Sequence, residues 1–280
     1  MHNKIGTSRF AKAAFVMAGM FGMAAIMGTQ AFAAPPPISA ASGEHSDSDA
    51  RLKADVQKEL RGKNYKNVTV RVSQGVVTLS GEVNLYAYKV DALKKAGKVR
   101  GAGHVRDNIA VGGPTVPDNV LGQKLNDKIQ VDRIGFGQAF DAISVAVQNG
   151  IVTLGGHAKG PVTEQSAVSL AEYTPGVKGL INKIEIDPVS PMDDGIRLAA
   201  FRAIYGYAPL RIYAIVPSRP IRISVQNGNL TLYGTVNNQM DKQLVYQQAM
   251  QIPNVFHVTN NLVVANQPNE KKKNQVTTNP

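Results

Sequence analysis

The chain has no cysteine. Thiol nucleophiles, zinc–thiolate sites and disulfides are thereby excluded, and so is a covalent lipid anchor, which needs a cysteine to carry it. Each domain must hold together by burying its own apolar side chains. Histidine is scarce, with five residues in 280, and tryptophan is absent. No HExxH, P-loop, GxSxG or EF-hand spacing occurs. No catalytic set can be assembled from what remains, so neither enzyme activity, nor a metal, nor a cofactor is expected. Long apolar runs are missing too. Residues 13–28 come nearest, but glycines interrupt them, and they follow a stretch with Lys4, Arg9 and Lys12 and no acid. With Ala31-Phe32-Ala33 as a small-x-small site, residues 1–33 read as a signal peptide cleaved after Ala33; a retained N-terminal anchor is the alternative.

What the chain does contain is a repeat. Gln74-Gly75-Val76-Val77-Thr78-Leu79-Ser80-Gly81 returns as Asn149-Gly150-Ile151-Val152-Thr153-Leu154-Gly155-Gly156. It returns again as Asn227-Gly228-Asn229-Leu230-Thr231-Leu232-Tyr233-Gly234. The copies lie at the period of a small domain, which sets the architecture. Asn-Gly between apolar runs favours a type I′ hairpin turn. Val77/Leu79, Val152/Leu154 and Leu230/Leu232 alternate with their neighbours as strand residues with two faces do. Gly81, Gly156 and Gly234 then mark a bulge, or a helix backbone passing close to the strand.

Around each copy the same order recurs. In residues 47–111, Asp47 or Ser48 can cap a helix striped by Leu52, Val56 and Leu60. Val68, Val70 and Val72 make a first hairpin strand. Tyr86, Val90 and Leu93 stripe a second helix, and residues 104–111 form a closing strand. In residues 117–187, Leu121, Leu125 and Ile129 stripe the first helix, and Ile143, Val145 and Val147 mark the strand. Pro161 suits the first turn of the second helix. Residues 193–264 open on Asp193 and Asp194 as caps and carry an insertion at 206–220. A Pro-rich linker (34–46) precedes the units, shorter ones (112–116, 188–192) join them, and 265–280 reads as a disordered tail. The fold class is α+β: three tandem αββαβ modules, each a small mixed three-stranded sheet with the glycine strand central. Units this small have slim margins, so adjacent modules are expected to pack together.

The turn-and-glycine strand and the later Gly176-Val177-x-Gly179-Leu180-x-Asn182-x-Ile184 pattern resemble the BON domain. The resemblance covers all three copies, although Ala102 stands where the others have Val177 and Val255. It implies two helices on one face of each sheet, a periplasmic location, attachment to anionic phospholipid surfaces and support of the envelope under stress. It also implies, as rival readings, a chaperone for exported or outer-membrane polypeptides, or a small-ligand or ion sensor.

Charge is uneven. Residues 47–111 hold 13 Lys/Arg against 7 Asp/Glu, 117–187 hold 6 against 8, and 193–264 hold 6 against 3. A basic domain suits anionic surfaces, and export removes nucleic acid from the partners. On the first module Arg51, Lys58, Arg61 and Lys95 are predicted to face water opposite the apolar stripes, as a lipid-binding surface. In the insertion, Tyr207, Arg211, Tyr213 and Arg219 are residue types that interfaces favour, so a partner surface is expected there; a lid packed on its own sheet is the alternative. His104 and His257 occupy matching turn positions that also admit glycine, and His157 a strand position read as solvent-facing.

Overall fold

The computed structural model describes residues 41–132 and 136–265. The signal peptide and most of the tail expected from the sequence lie outside them. Module one runs α1 (Ala41–Glu59), β1 (Val68–Ser73), β2 (Val76–Val83), α2 (Tyr86–Lys98), β3 (His104–Val111). Module two runs α3 (Asp118–Val131), β4 (Ala142–Gln148), β5 (Ile151–Ala158), α4 (Pro161–Glu172), β6 (Gly179–Ile186). Module three runs α5 (Pro191–Tyr205), α6 (Arg211–Ala214), β7 (Ile221–Gln226), β8 (Asn229–Val236), α7 (Gln239–Met250), then β9 (His257–Asn260) and β10 (Val263–Val264). In each sheet the glycine strand is central, antiparallel to the strand before it and parallel to the strand after it. The fold is thus the mixed αββαβ unit three times over.

The turns form as their residues require. Both turn positions have positive φ in every copy: 52° and 72° at Gln74-Gly75, 53° and 75° at Asn149-Gly150, 50° and 75° at Asn227-Gly228. Val77, Leu79, Val152, Leu154, Leu230 and Leu232 are fully buried. The recurring glycines face a strand, not a helix. A Cβ on Gly81 would lie 1.9 Å from the Asn67 carbonyl oxygen, one on Gly156 2.0 Å from that of Ala142, and one on Gly234 1.9 Å from that of Pro220. The close approach is made by the chain entering the neighbouring strand of the hairpin.

Three sequence expectations need correction. Asp47 and Ser48 lie inside α1, which starts at Ala41, so the last part of the supposed linker is helical; no proline occurs between Ala41 and Asp49 to stop it. The cap of α5 is Ser190, whose side chain accepts from the Asp193 N–H, rather than Asp193 or Asp194. On α2 the fully buried residues are Ala92 and Ala96, because the helix lies close on its sheet where only small side chains fit, and Leu93 flanks them. Tyr86 instead packs on module two's core.

The first helix of each module is stitched to its hairpin tip by one carboxylate. Asp49 accepts from the backbone N–H groups of Gln74 (2.7 Å) and Gly75 (2.9 Å). Asp118 does so for Asn149 and Gly150 (2.7 and 2.9 Å), and Asp193 for Asn227 and Gly228 (3.0 and 2.8 Å). Each satisfies two turn donors at once with charge-assisted bonds. The third strands share a device too. The side chains of Asp107, Asn182 and Asn260 accept from the N–H two residues on, at Ile109, Ile184 and Leu262. In module three the strand breaks there into β9 and β10, where one closing strand was expected.

Modules two and three are docked. Ala139 and Phe140, which precede β4, belong to module three's core. The face of β7 and β8 not covered by helices turns toward module two: Arg222 donates to the Gln138 carbonyl, Ser224 to Asp187 (3.2 Å), and Gln226 to Asp187 (2.9 Å). Asp187 is 1% exposed and sits 3.2 Å from Arg197, itself 2% exposed. Modules one and two touch more lightly, through Tyr86 and an edge-on contact of Tyr88 with Tyr173 at 6.5 Å.

Candidate functional site

Most of module one's cations are exposed. Arg51 and Lys58 are exposed on α1, and Arg61 is exposed two residues past its end rather than on the helix, while Leu52, Val56 and Leu60 are buried beneath. Lys95 departs from the expectation. Its ammonium is 2.9 Å from Asp91, 3.4 Å from the Tyr65 hydroxyl and 4.8 Å from the centre of that ring. It is therefore tied into a cluster with Asp91 and Tyr65, in a groove that Lys58, Lys94 and Lys98 also line, rather than standing free. The Tyr65 hydroxyl, bonded to Asp91, and Lys95 together hold that carboxyl below its usual range. The cations facing outward on α2 are Lys94 and Lys98. They share a groove with Lys58, and the acids Asp55, Glu59 and Asp91 lie in it as well.

The opposite side of module one is a bare sheet face. Register places Arg71, Thr78 and Arg106 in one row across it. Both arginines are exposed. Among the described residues, Lys89 and Lys95 are the only cations of module one paired with a carboxylate.

The insertion is largely a lid. Tyr213 is 3% exposed. Its oxygen lies 2.5 Å from Asp241 and accepts from the Asn237 N–H at 2.8 Å. Tyr207 packs against the core. The Arg219 guanidinium donates to the Ala214 carbonyl and lies 5.5 Å from the Tyr205 ring centre. Only Arg211 of the four is exposed, beside Ile212 and Ile215. The expected partner surface thus shrinks to Arg211 and those isoleucines. The aromatic and long side chains that suit an interface serve equally to close a core.

The lid has a pH signature. Burial first, with the Asp241 carboxylate adding to it against the Asn237 bond, pushes the Tyr213 phenol up to about 12. A phenol raised on folding lends stability that is complete below its unfolded pKa of about 10 and is lost as pH climbs through the folded value. Wild-type melts are expected to drop between those limits, and Tyr213→Phe melts to lose that component; parallel curves would refute the assignment.

His157 is not solvent-facing. Its Nδ1 lies 3.0 Å from Gln226 and 3.5 Å from Asp187, and its ring centre is 5.7 Å from that of Tyr233. Its role is at the docking of modules two and three, which sequence reading missed. His104 and His257 are exposed. The clearest unread signal was the Asp-x-x-apolar run on each first helix, at Asp49, Asp118 and Asp193, which recurs as the turns do.

Among the described residues no group of three or more His, Asp or Glu is placed to hold a metal, and no helix is long and apolar enough to cross a membrane. Three copies of one αββαβ unit, each with its own buried cluster, define a tandem-module protein whose differences lie at its surfaces. The chain belongs to the BON domain family: residues 48–113, 117–188 and 210–266 match that domain. The third match omits α5, although Ile196, Ala200 and Ile204 of that helix fill module three's core. No curated protein matches the chain. Among solved structures, CdsD, a structural protein of the type III secretion system of Chlamydia trachomatis, is 20% identical over 79% of this chain and 94% of its own, with a TM-score of 0.23. The periplasmic domain of the type III secretion inner-membrane protein PrgH from S. typhimurium is 8% identical over 76% and 99%, with a TM-score of 0.19.

Proposed function

We propose that this is a non-enzymatic, envelope-associated protein of the periplasm that attaches to anionic phospholipid surfaces through module one and supports the envelope under stress. The carrying observation is the cation excess of that module, most of it exposed and without a carboxylate partner among the described residues. Each Lys or Arg held at an anionic bilayer contributes about 1 kcal/mol. Arg51, Lys58 and Arg61 together would give weak, salt-sensitive adsorption. Lys95, tied to Asp91, is left out of the surface. Co-sedimentation of the chain with phosphatidylglycerol vesicles is expected in low salt and to fade as salt rises. The Arg51→Gln, Lys58→Gln, Arg61→Gln triple variant is expected to lose most of it with its melting temperature unchanged. Undiminished binding by the triple variant would reject the α1 face.

A chaperone for exported polypeptides is the second reading. It is favoured by apolar side chains left in solvent on module three, where Phe256 is 74%, Ile215 76% and Met240 68% exposed. Suppression of aggregation of an unfolded client, without vesicle binding, would select it.

A further inference from the structure

Module one has a strand edge that its first helix leaves uncovered, unlike those of its sister modules. In a hairpin closed by a two-residue turn, the pair flanking the turn is hydrogen-bonded and the pairs alternate from there. In module three this aims the backbone groups of Ile221, Ile223 and Val225 away from β8. Those of Ile221 and the Val225 carbonyl are met from outside. The Tyr205 hydroxyl donates to the Ile221 carbonyl (2.6 Å) and accepts from its N–H (3.0 Å), and Arg197 donates to the Val225 carbonyl (2.6 Å). Four residues past the stitching aspartate, where module three has Arg197, module two has Gly122. There α3 runs along β4, and a Cβ on Gly122 would meet Val147 at 3.5 Å.

Module one has Lys53 at that position, exposed and bonded to no strand group, and Arg61 where module three has Tyr205. The outward N–H and C=O groups are those of Val68, Val70 and Val72. No side chain among the described residues closes them. Unlike α3 and α5, α1 stands off its strand. A groove lies between the two, lined by Ala50 and Lys53 on α1 and by Val72 and Ser73 on β1. The far edges of the sheets are not equivalent to it, because the Asp107, Asn182 and Asn260 caps interrupt each third strand.

We propose that β1 takes up an extended polypeptide segment as a fourth strand, laid in the groove beneath α1. Main-chain hydrogen bonds to Val68, Val70 and Val72 would supply the affinity. Side-chain alternation sets the sequence preferred. Residues facing the groove continue the valine face and are apolar. Residues on the bare sheet face lie beside Thr69, Arg71 and Ser73, and an acid there pairs across strands with Arg71. The partner is therefore a segment of alternating apolar and acidic residues, and the site is independent of lipid attachment on the α1 face.

The probe is the acetylated, amidated, fluorescein-labelled peptide Val-Glu-Val-Glu-Val-Glu-Val, read by anisotropy with the full chain. It is expected to bind. The same peptide with every amide N-methylated is expected to bind at least tenfold more weakly. So is the wild-type peptide with Val72→Pro, which removes an outward N–H without costing a bond to β2. Arg71→Glu is expected to prefer the lysine analogue of the peptide, and serves should Val72→Pro not fold. No binding by the glutamate peptide, equal binding of the N-methylated one, or an unchanged charge preference in Arg71→Glu would overturn the proposal.

Discussion

Gly156→Val is expected to destabilise module two by at least about 3 kcal/mol, the range of backbone strain combined with overpacking. Two features act together. The residue has φ of +87°, which a β-branched side chain adopts only with strain. Its Cβ would also stand 2.0 Å from the Ala142 carbonyl oxygen, which belongs to backbone and cannot rotate away. Relief would require pulling β4 off β5 where the hairpin ends. Gly160 is the control. Its φ is −165°, in extended backbone, and nothing lies within 4 Å of its missing Cβ. Gly160→Val is expected to cost about 1 kcal/mol, as a worse residue at the start of α4. Chemical denaturation of the two full-length variants checks this. Equal losses would mean that the repeated glycine is not held by the contact described. The same expectation extends to Gly81 and Gly234, whose surroundings match.

Asp187→Ala is expected to be the most damaging change at the docking of modules two and three, at about 3 kcal/mol or more, since it strips a partner from a buried charge. Arg197 keeps its bond to Asp194 at 2.8 Å and to the Val225 carbonyl, which sets the loss toward the low end. Ser224 and Gln226 lose their acceptor in the same step. The readout is twofold: a lower denaturation midpoint, and faster proteolysis between residues 187 and 191. Adding Arg197→Met should recover part of the loss, because the pair is then removed together. If the double variant were no more stable than the single one, the ion pair would not be the element that joins the modules.

Much of the fold was legible because its strongest signals are local. The glycine turns, the Val77/Leu79 alternation and the Leu52–Val56–Leu60 stripe each rest on near neighbours in sequence, and each formed as read. What escaped depends on distance along the chain. Asp49 meets a turn 25 residues later and Asp193 one 34 residues later, so Asp193 looked like a cap when only its own helix was considered, and Asp49 was passed over. Ala92 and Ala96 were passed over because small residues add little to an apolar stripe, yet they lie where helix and sheet come closest. For the surface, counting charge located the cationic module but not the loss of Lys95 to Tyr65 and Asp91. The tyrosines of the insertion have a chemistry common to cores and interfaces, and burial alone separates the two.

The docking of modules two and three also has a consequence in time. A chain made from its N-terminus folds its early domains first. Module one can finish its core as soon as β3 is available. Module two cannot finish in the same sense when β6 appears: Phe140, Asp187 and the ring of His157 have their partners on α5, β7 and β8, which do not yet exist. Until those strands arrive, an uncovered phenylalanine and a carboxylate meant for a dry interior stand in water. The middle of the chain therefore matures only together with module three, and a ribosome or translocon that stalls within module three would release a half-finished module two behind a completed module one.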